Sequence, residues 1–251
     1  MGRRMLTEGK WRKVEPLLPG QEGSSGARAR DNRLFLEAVL WIARTGSPWR
    51  DLPTELGNWH TTYTRFNRWC RSGRWHAIWQ EMGSPKELCA LMIDSTIVRV
   101  HQHAAGAPKK AGQQALGRSR GGLSTKIHVC CDALGQTVRC LLSSGQEADI
   151  THARALIEGI ETQALLADKG YDANELLQTL ASREIEAVIP PRKNRCEQRE
   201  YDRQAYKHRN LVQRLFNRLK QFRRVATRYD KLARSFLGVL CLACWFIQTP
   251  E

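Results

Sequence analysis

Fifteen residues, Tyr206 to Lys220, constrain this chain most tightly. Leu211, Val212, Leu215, Phe216 and Leu219, with Phe222 just beyond, recur at intervals of three and four, the period of one helix face. Tyr206, Gln213 and Lys220 recur every seven residues. At about 100° per residue a helix drifts only ~20° over seven positions, so these three share a polar stripe, with Arg209 close beside it. A helix of this kind needs an apolar surface to lie on. A sheet provides one, and docking there would hold the polar stripe rigidly.

The preceding sequence supplies strands for that sheet. Leu88 to Val100 is a near-continuous apolar run interrupted at Asp94, as expected of a central strand buried on both faces. A basic, glycine-rich stretch from Pro108 to Gly122 reads as a flexible loop. Leu123–Cys131 and Thr137–Leu142 flank Asp132-Ala133-Leu134-Gly135 as a hairpin. Asp149–Ile160 has a helix pattern, and Ala164–Ala167 is a short strand ending in Asp168. Asn174–Ser182 is a helix, and Ile185–Ile189 a strand stopped by Pro190-Pro191. Residues 1 to about 85 read differently. They hold seven of the eight tryptophans and a helical pattern: Glu8–Val14 after Thr7, Asn32–Arg44 after an Asp31 cap, and Trp59–Cys70 after Gly57-Asn58. That layout suits a helix-turn-helix with Thr61, Thr62, Arg65 and Arg68 on the polar side of the last helix. The main role expected of the tryptophans is a compact core.

A chain of 251 residues that is 41% hydrophobic fits one large domain or two smaller ones with an ordinary core. The longest apolar stretch, Phe236–Ile247, is too short to span a bilayer and contains Gly238, and Met1-Gly2-Arg3-Arg4 leads into polar sequence, so an intracellular, cytoplasmic protein is expected. The eight cysteines form no disulfide framework and read mostly as small buried apolar residues; Cys241 and Cys244 have zinc-knuckle spacing but lack a second pair. The formal charge is +15, and the segment 190–234 alone holds fifteen Lys or Arg against four acids. A field so concentrated attracts a polyanion, and nucleic acid is favoured over a membrane.

Phosphodiester cleavage by two metal ions needs oxygen ligands that converge from rigid elements on two divalent cations about 4 Å apart. Asp94 in the first strand, Asp168 at the end of a later strand and Gln213 on the helix after the last strand follow the order of an RNase H-like nucleotidyl transferase. Magnesium suits such oxygen ligands, with manganese as a substitute. The blocks Met92-Ile93-Asp94-Ser95-Thr96 and Ala167-Asp168-Lys169-Gly170-Tyr171-Asp172, followed by Tyr206, Arg209, Gln213 and Lys220, carry a resemblance that covers essentially the whole chain. The chain resembles bacterial insertion-sequence DDE transposases of the group that includes insertion sequences 4 and 5.

The resemblance implies a small all-α, helix-turn-helix-like domain (1–85) followed by an α/β, RNase H-like mixed sheet with flanking helices (86–251). It implies catalysis by Asp94, Asp168 and position 213, with Asp94 and Asp168 holding two Mg2+ ions. Expected DNA contacts are Tyr206, Arg209, Lys220, Arg118, Arg120, Arg65 and Arg68. The implied partner is double-stranded DNA, both the element's terminal inverted repeats and target DNA, bound by a homodimer that synapses two ends. Gln213 departs from the pattern, which has glutamate there; its amide keeps the shape but lacks the charge. The readings are therefore a DNA transposase impaired at this position or a catalytically inactive, transposase-derived DNA-binding protein. An RNase H-like nuclease of repair or RNA turnover would leave the helical segment unexplained. Asp172 and Asp149 read as helix caps, His101 and His103 as an exposed pair, and His128 as isolated.

Overall fold

The computed structural model describes residues 4–21, 23, 28–83, 88–106, 112, 114–119 and 121–249. Its principal elements run in the order α1 (Glu8–Val14), α2 (Asn32–Thr45), α3 (Trp59–Arg71), α4 (Arg74–Gly83), β1 (Leu88–Val100), β2 (Gly117–Ser119), β3 (Gly122–Asp132), β4 (Thr137–Ser144), α5 (Ala153–Ile157), β5 (Thr162–Leu166), α6 (Asn174–Ala181), β6 (Glu186–Val188), α7 (Arg203–Tyr206), α8 (Asn210–Lys220), α9 (Arg223–Ala226) and α10 (Ala233–Gln248). They form two compact units. One comprises Met1–Ser84, Val100–Gln114 and Leu219–Glu251, the other Pro85–Arg99 and Ala115–Arg218.

In the helical unit, capping fixes where helices begin. Asp31 Oδ1 accepts from the Leu34 N–H at 2.8 Å and opens α2, which Gly46 ends with a left-handed φ of 72°. Asn58 Oδ1 accepts from the His60 and Thr61 N–H groups and opens α3. Buried Glu37 accepts from the backbone N–H groups of Met5 and Leu6, which pins the first segment to α2. Trp69, Trp75, Trp79 and Trp245 are buried, and Phe35 packs edge-on against Trp69 with ring centres 5.0 Å apart. α10 packs against α2, α3 and α4. The approach is tight at Gly238, where a Cβ would stand 2.7 Å from Cys70 Sγ and 3.1 Å from Trp75. The Phe236–Ile247 apolar run is thus the central helix of this core, and this explains why carboxy-terminal residues belong with amino-terminal ones.

The second unit is a mixed α/β sheet with flanking helices. Its strand order is β2-β3-β1-β5-β6, with β4 paired to β3. β3 lies antiparallel to β1 from Leu91↔Asp132 to Arg99↔Ser124, while β5 runs parallel to β1 and β6 parallel to β5. Residues 117–119, expected in a loop, instead form β2 against Gly122–Ser124. Side chains alternate along a strand. Leu91 and Ile93 of β1 join Leu156, Leu176 and Leu180 of α5 and α6 in one cluster. Asp94 consequently projects from the opposite face.

Candidate functional site

Asp94 stands in the middle of the sheet because β1 is paired on both sides: its register partner on β3 is Val129, and β5 meets the preceding residues up to Met92. Its carboxylate is 14% exposed. Oδ1 accepts from the Ser95 N–H at 2.9 Å, and Oδ2 accepts from Arg209 Nη2 at 2.6 Å. Burial pushes the Asp94 carboxyl above the usual carboxylate range, Arg209 and the Ser95 N–H offset part of that rise, and the charges of Asp168 and Asp149 add to it. This carboxylate is short of positive charge.

Asp168 follows β5. Its Oδ1 accepts from the Gly170 N–H at 2.7 Å, which begins a single 3₁₀ turn over Lys169–Tyr171. Its Oδ2 lies 3.8 Å from the Arg209 nitrogen that bonds Asp94. The two carboxylates, 74 residues apart in sequence by their numbers, are thus bracketed by one guanidinium. They can be no farther apart than the sum of those two contacts. Tyr171, buried beside them, has a phenol oxygen with no hydrogen-bond partner among the described residues, and burial with the charges of Asp149, Asp94 and Asp168 pushes its pKa up.

The run from 203 to 220 is not one continuous α-helix. Lys207–Arg209 winds as a 3₁₀ turn between α7 and α8. A 3₁₀ turn advances about 120° per residue, so three such residues rotate Tyr206 roughly 60° off the stripe expected of an unbroken helix. Tyr206 is half-buried and packs edge-on against Tyr201, with centres 5.6 Å apart. Val212, Leu215, Phe216 and Leu219 are buried, as the apolar face required. Gln213 is exposed on the first turn of α8, four residues after Arg209 and therefore its neighbour on the helix surface. Lys220 is exposed at the end of α8, and Arg118 is exposed on β2. Arg120 lies outside the described residues. Arg65 is half-buried over the rings of Phe35 and Trp69 and donates to Asn32 Oδ1, whereas Arg68 is exposed.

Two aspartates expected as caps do other work. The 3₁₀ turn at Asp149–His152 is preceded by Ala148 and has no side-chain cap. Asp149 Oδ1 instead accepts from Ser95 Oγ at 2.7 Å and from Lys126 Nζ at 2.8 Å, tying β1 and β3 to that turn. His128, isolated in sequence, is fully buried 4.0 Å from Asp149 Oδ1; its ring lies 4.3 Å from that of His152, and its Nε2 meets Ser143 Oγ at 2.8 Å. Burial above all pushes its pKa down to about 4. Asp172 likewise does not cap α6, whose N-cap is Ala173. Its buried carboxylate accepts from the Arg192 N–H at 2.7 Å and from Arg195 Nε at 2.6 Å, with Arg199 Nη1 at 3.4 Å. These links join residues distant in sequence, and no local pattern encodes them.

Residues 6–79 match the family model described as a putative transposase of the IS4/5 family, and residues 85–247 match that of the transposase DDE domain. This chain belongs to the insertion-sequence DDE transposases. The transposase is 33% identical over 127 residues to the putative transposase for insertion sequence element IS6501 of Brucella ovis, covering 50% of this chain and 98% of that one. To the putative transposase for IS402 of Burkholderia cepacia it is 30% identical over 156 residues, covering 56% and 70%. An uncharacterized protein, y4sN, of Sinorhizobium fredii is 44% identical over 108 residues, covering 43% of this chain and 86% of that one. Among solved structures, a piggyBac transposase synaptic complex with hairpin DNA aligns with a TM-score of 0.41 at 11% identity, covering 76% of this transposase and 48% of that chain.

The family generally uses divalent metal ions. The donors in this transposase suit one: two hard carboxylates converge on a single positive charge, and the Arg209 guanidinium stands where a cation would balance them. Among the described residues no group of three or more His, Cys, Asp or Glu forms a metal-ligating cluster. The donors brought together around Arg209 are therefore the two carboxylates of Asp94 and Asp168.

Proposed function

We propose that this transposase binds the terminal inverted repeats of its element and carries out phosphodiester hydrolysis and strand transfer at Mg2+ held by Asp94 and Asp168, with chemistry impaired by Gln213. The observation that carries the reading is the convergence of Asp94 and Asp168 on the Arg209 guanidinium. Divalent ions at such a pair supply the charge that activates an attacking hydroxyl and stabilises the leaving oxygen. Asp94 and Asp168 hold the ions. Arg209, which bonds Asp94 and stands beside Asp168, is available to grip a phosphate by a two-pronged contact. On the helical unit, Thr61, Arg65 and Arg68 of α3 line a groove of about 790 Å³ together with Arg28 and Arg30, a surface suited to duplex DNA.

Gln213 offers a carbonyl oxygen without a charge. If a glutamate there contributes about 4 kcal/mol to the transition state, the amide slows cleavage on the order of a thousandfold and leaves binding unchanged. A nicking assay on labelled element-end DNA tests this. Gln213→Glu should cut about a thousandfold faster than the natural chain while both give the same footprint. Equal, robust cutting by the two would show that the position is not catalytic. A footprint without nicking in either would instead favour the alternative, a DNA-binding protein that has lost its chemistry.

A further inference from the structure

The helical unit holds an open cavity of about 1100 Å³ that the proposed cleavage chemistry does not use. Six rings line it: Trp49, Trp59, Tyr63, His101, His103 and Tyr229. They are not a closed core. Tyr63 is 40% exposed, and Trp49, Trp59, His101 and Tyr229 are half-buried. The rings are already set against one another, Trp49 with Tyr63 at 5.4 Å and His101 with Tyr229 at 5.0 Å between centres, so little ordering is left for a ligand to impose.

Positive charge predominates on the cavity wall. Arg50, Arg71, Lys231 and Arg234 line it, and none of these four is ion-paired among the described residues. Arg50 lies over the Trp59 ring at 5.6 Å, which layers a cation beside a stacking face. Asp230 is the only carboxylate on the wall among the described residues, and Arg224 neutralises it with two bonds of 3.0 and 3.1 Å. An anion therefore meets no opposing charge there.

Cations alone would suit any polyanion, but the rings narrow the choice. In a duplex the base faces are covered by their neighbours, so exposed rings gain nothing from it. An unpaired nucleotide offers a bare π-face and a phosphate together. We infer that this cavity takes an unpaired nucleotide, its base among the Trp59, Tyr63 and Tyr229 rings and its phosphate on Arg50, Arg71 or Arg234. The helical unit would then engage single-stranded or locally opened DNA as well as duplex. The inference rests on the preceding reading only in taking nucleic acid as the partner; cleavage is not required.

The full chain is titrated by fluorescence anisotropy with three labelled probes of equal length: single-stranded oligothymidylate, its duplex with oligoadenylate, and single-stranded oligouridylate. Tyr63→Ala should weaken oligothymidylate binding by roughly 5- to 150-fold, the range for loss of one stacked base, and leave duplex binding within about twofold. Tyr63→Phe should restore it, which separates a lost ring from a misfolded chain. Arg234→Gln should weaken both single strands. Comparable losses for single strand and duplex in Tyr63→Ala, or no loss for either, would overturn the assignment. Equal affinity for oligouridylate would support an unpaired nucleotide of either sugar, and weaker affinity would support DNA as its source. Nicking of element ends is scored separately, so failure of cleavage and failure of this pocket are distinguishable.

Discussion

Asp94 and Asp172 both lie in the sheet-bearing unit, both are largely out of solvent, and both meet arginine, yet their carboxyls are displaced in opposite directions. Asp172 is fully buried. Burial pushes it up, but the Arg195 hydrogen bond, the Arg192 N–H and the charges of Arg195 and Arg199 outweigh that and hold it below the usual carboxylate range. Asp94 has one guanidinium, shares it with Asp168, and faces the charge of Asp149, so burial prevails and its carboxyl is held high. A carboxylate whose charge is fully answered by the chain serves as a clamp, here for the loop from Arg192 to Arg199. One whose charge is answered only in part remains a place where a further cation lowers the free energy.

The largest effect that sharpens this contrast is on chemistry. In the Gln213→Glu background, Asp94→Asn should lower nicking on the order of a thousandfold or more, at least about 4 kcal/mol, while Asp172→Asn retains activity wherever it stays folded. Stability should respond in reverse. Asp172→Ala leaves Arg195 and Arg199 without their buried partner and should cost about 3–5 kcal/mol, read as a lower Tm in a thermal melt. Asp94→Asn should leave Tm unchanged or slightly higher, because it removes a charge that folding makes less favourable. A comparable drop in both variants would erase the distinction. Millimolar MgCl2 should raise Tm by a few degrees in the natural chain and in Asp172→Asn but not in Asp94→Asn.

The smallest effect concerns pH. A lowered Asp172 carboxyl contributes stability that is complete above its unfolded value, about 3.9, and is lost as pH falls through the folded value. The stability gap between the natural chain and Asp172→Asn should therefore close in acid. Asp94 has the opposite sign. Its raised carboxyl costs stability at neutral pH, and that cost disappears as pH falls through the folded value, so the gap to Asp94→Asn also narrows in acid but from the other side. Denaturant titrations across pH would fail this pairing if both gaps had the same sign.

Much of the fold was legible in the sequence because periodicity and caps are local. Thr7, Asp31 and Asn58 cap α1, α2 and α3, and β1 spans the expected Leu88–Val100. The motif residues Asp94, Asp168 and Arg209 were legible through family resemblance, and the structure brings those three together. What was hidden depends on contacts between distant segments. Asp149 and Asp172 each sit before a helical pattern, so the local rule offered capping; Ser95, Lys126 and Arg195 could compete for them only once the sheet had formed. The tightening at Lys207–Arg209 was hidden for the same reason, since an ideal heptad stripe carries no sign of a 3₁₀ turn. The placement of α10 was missed because an apolar run declares that it is buried but not against what.

That placement bears on how the protein is made. During translation the elements of the sheet-bearing unit have all been synthesised by about residue 218, and domains generally fold as units as the chain is made. α2, α3 and α4 leave the ribosome far earlier, yet they must wait for α10 to fill the space between Cys70 and Trp75. The first helices synthesised are thus among the last to acquire a finished interior, and a chain halted between about residue 218 and Ala233 would carry the elements of the sheet-bearing unit together with helices whose tryptophan surface is uncovered.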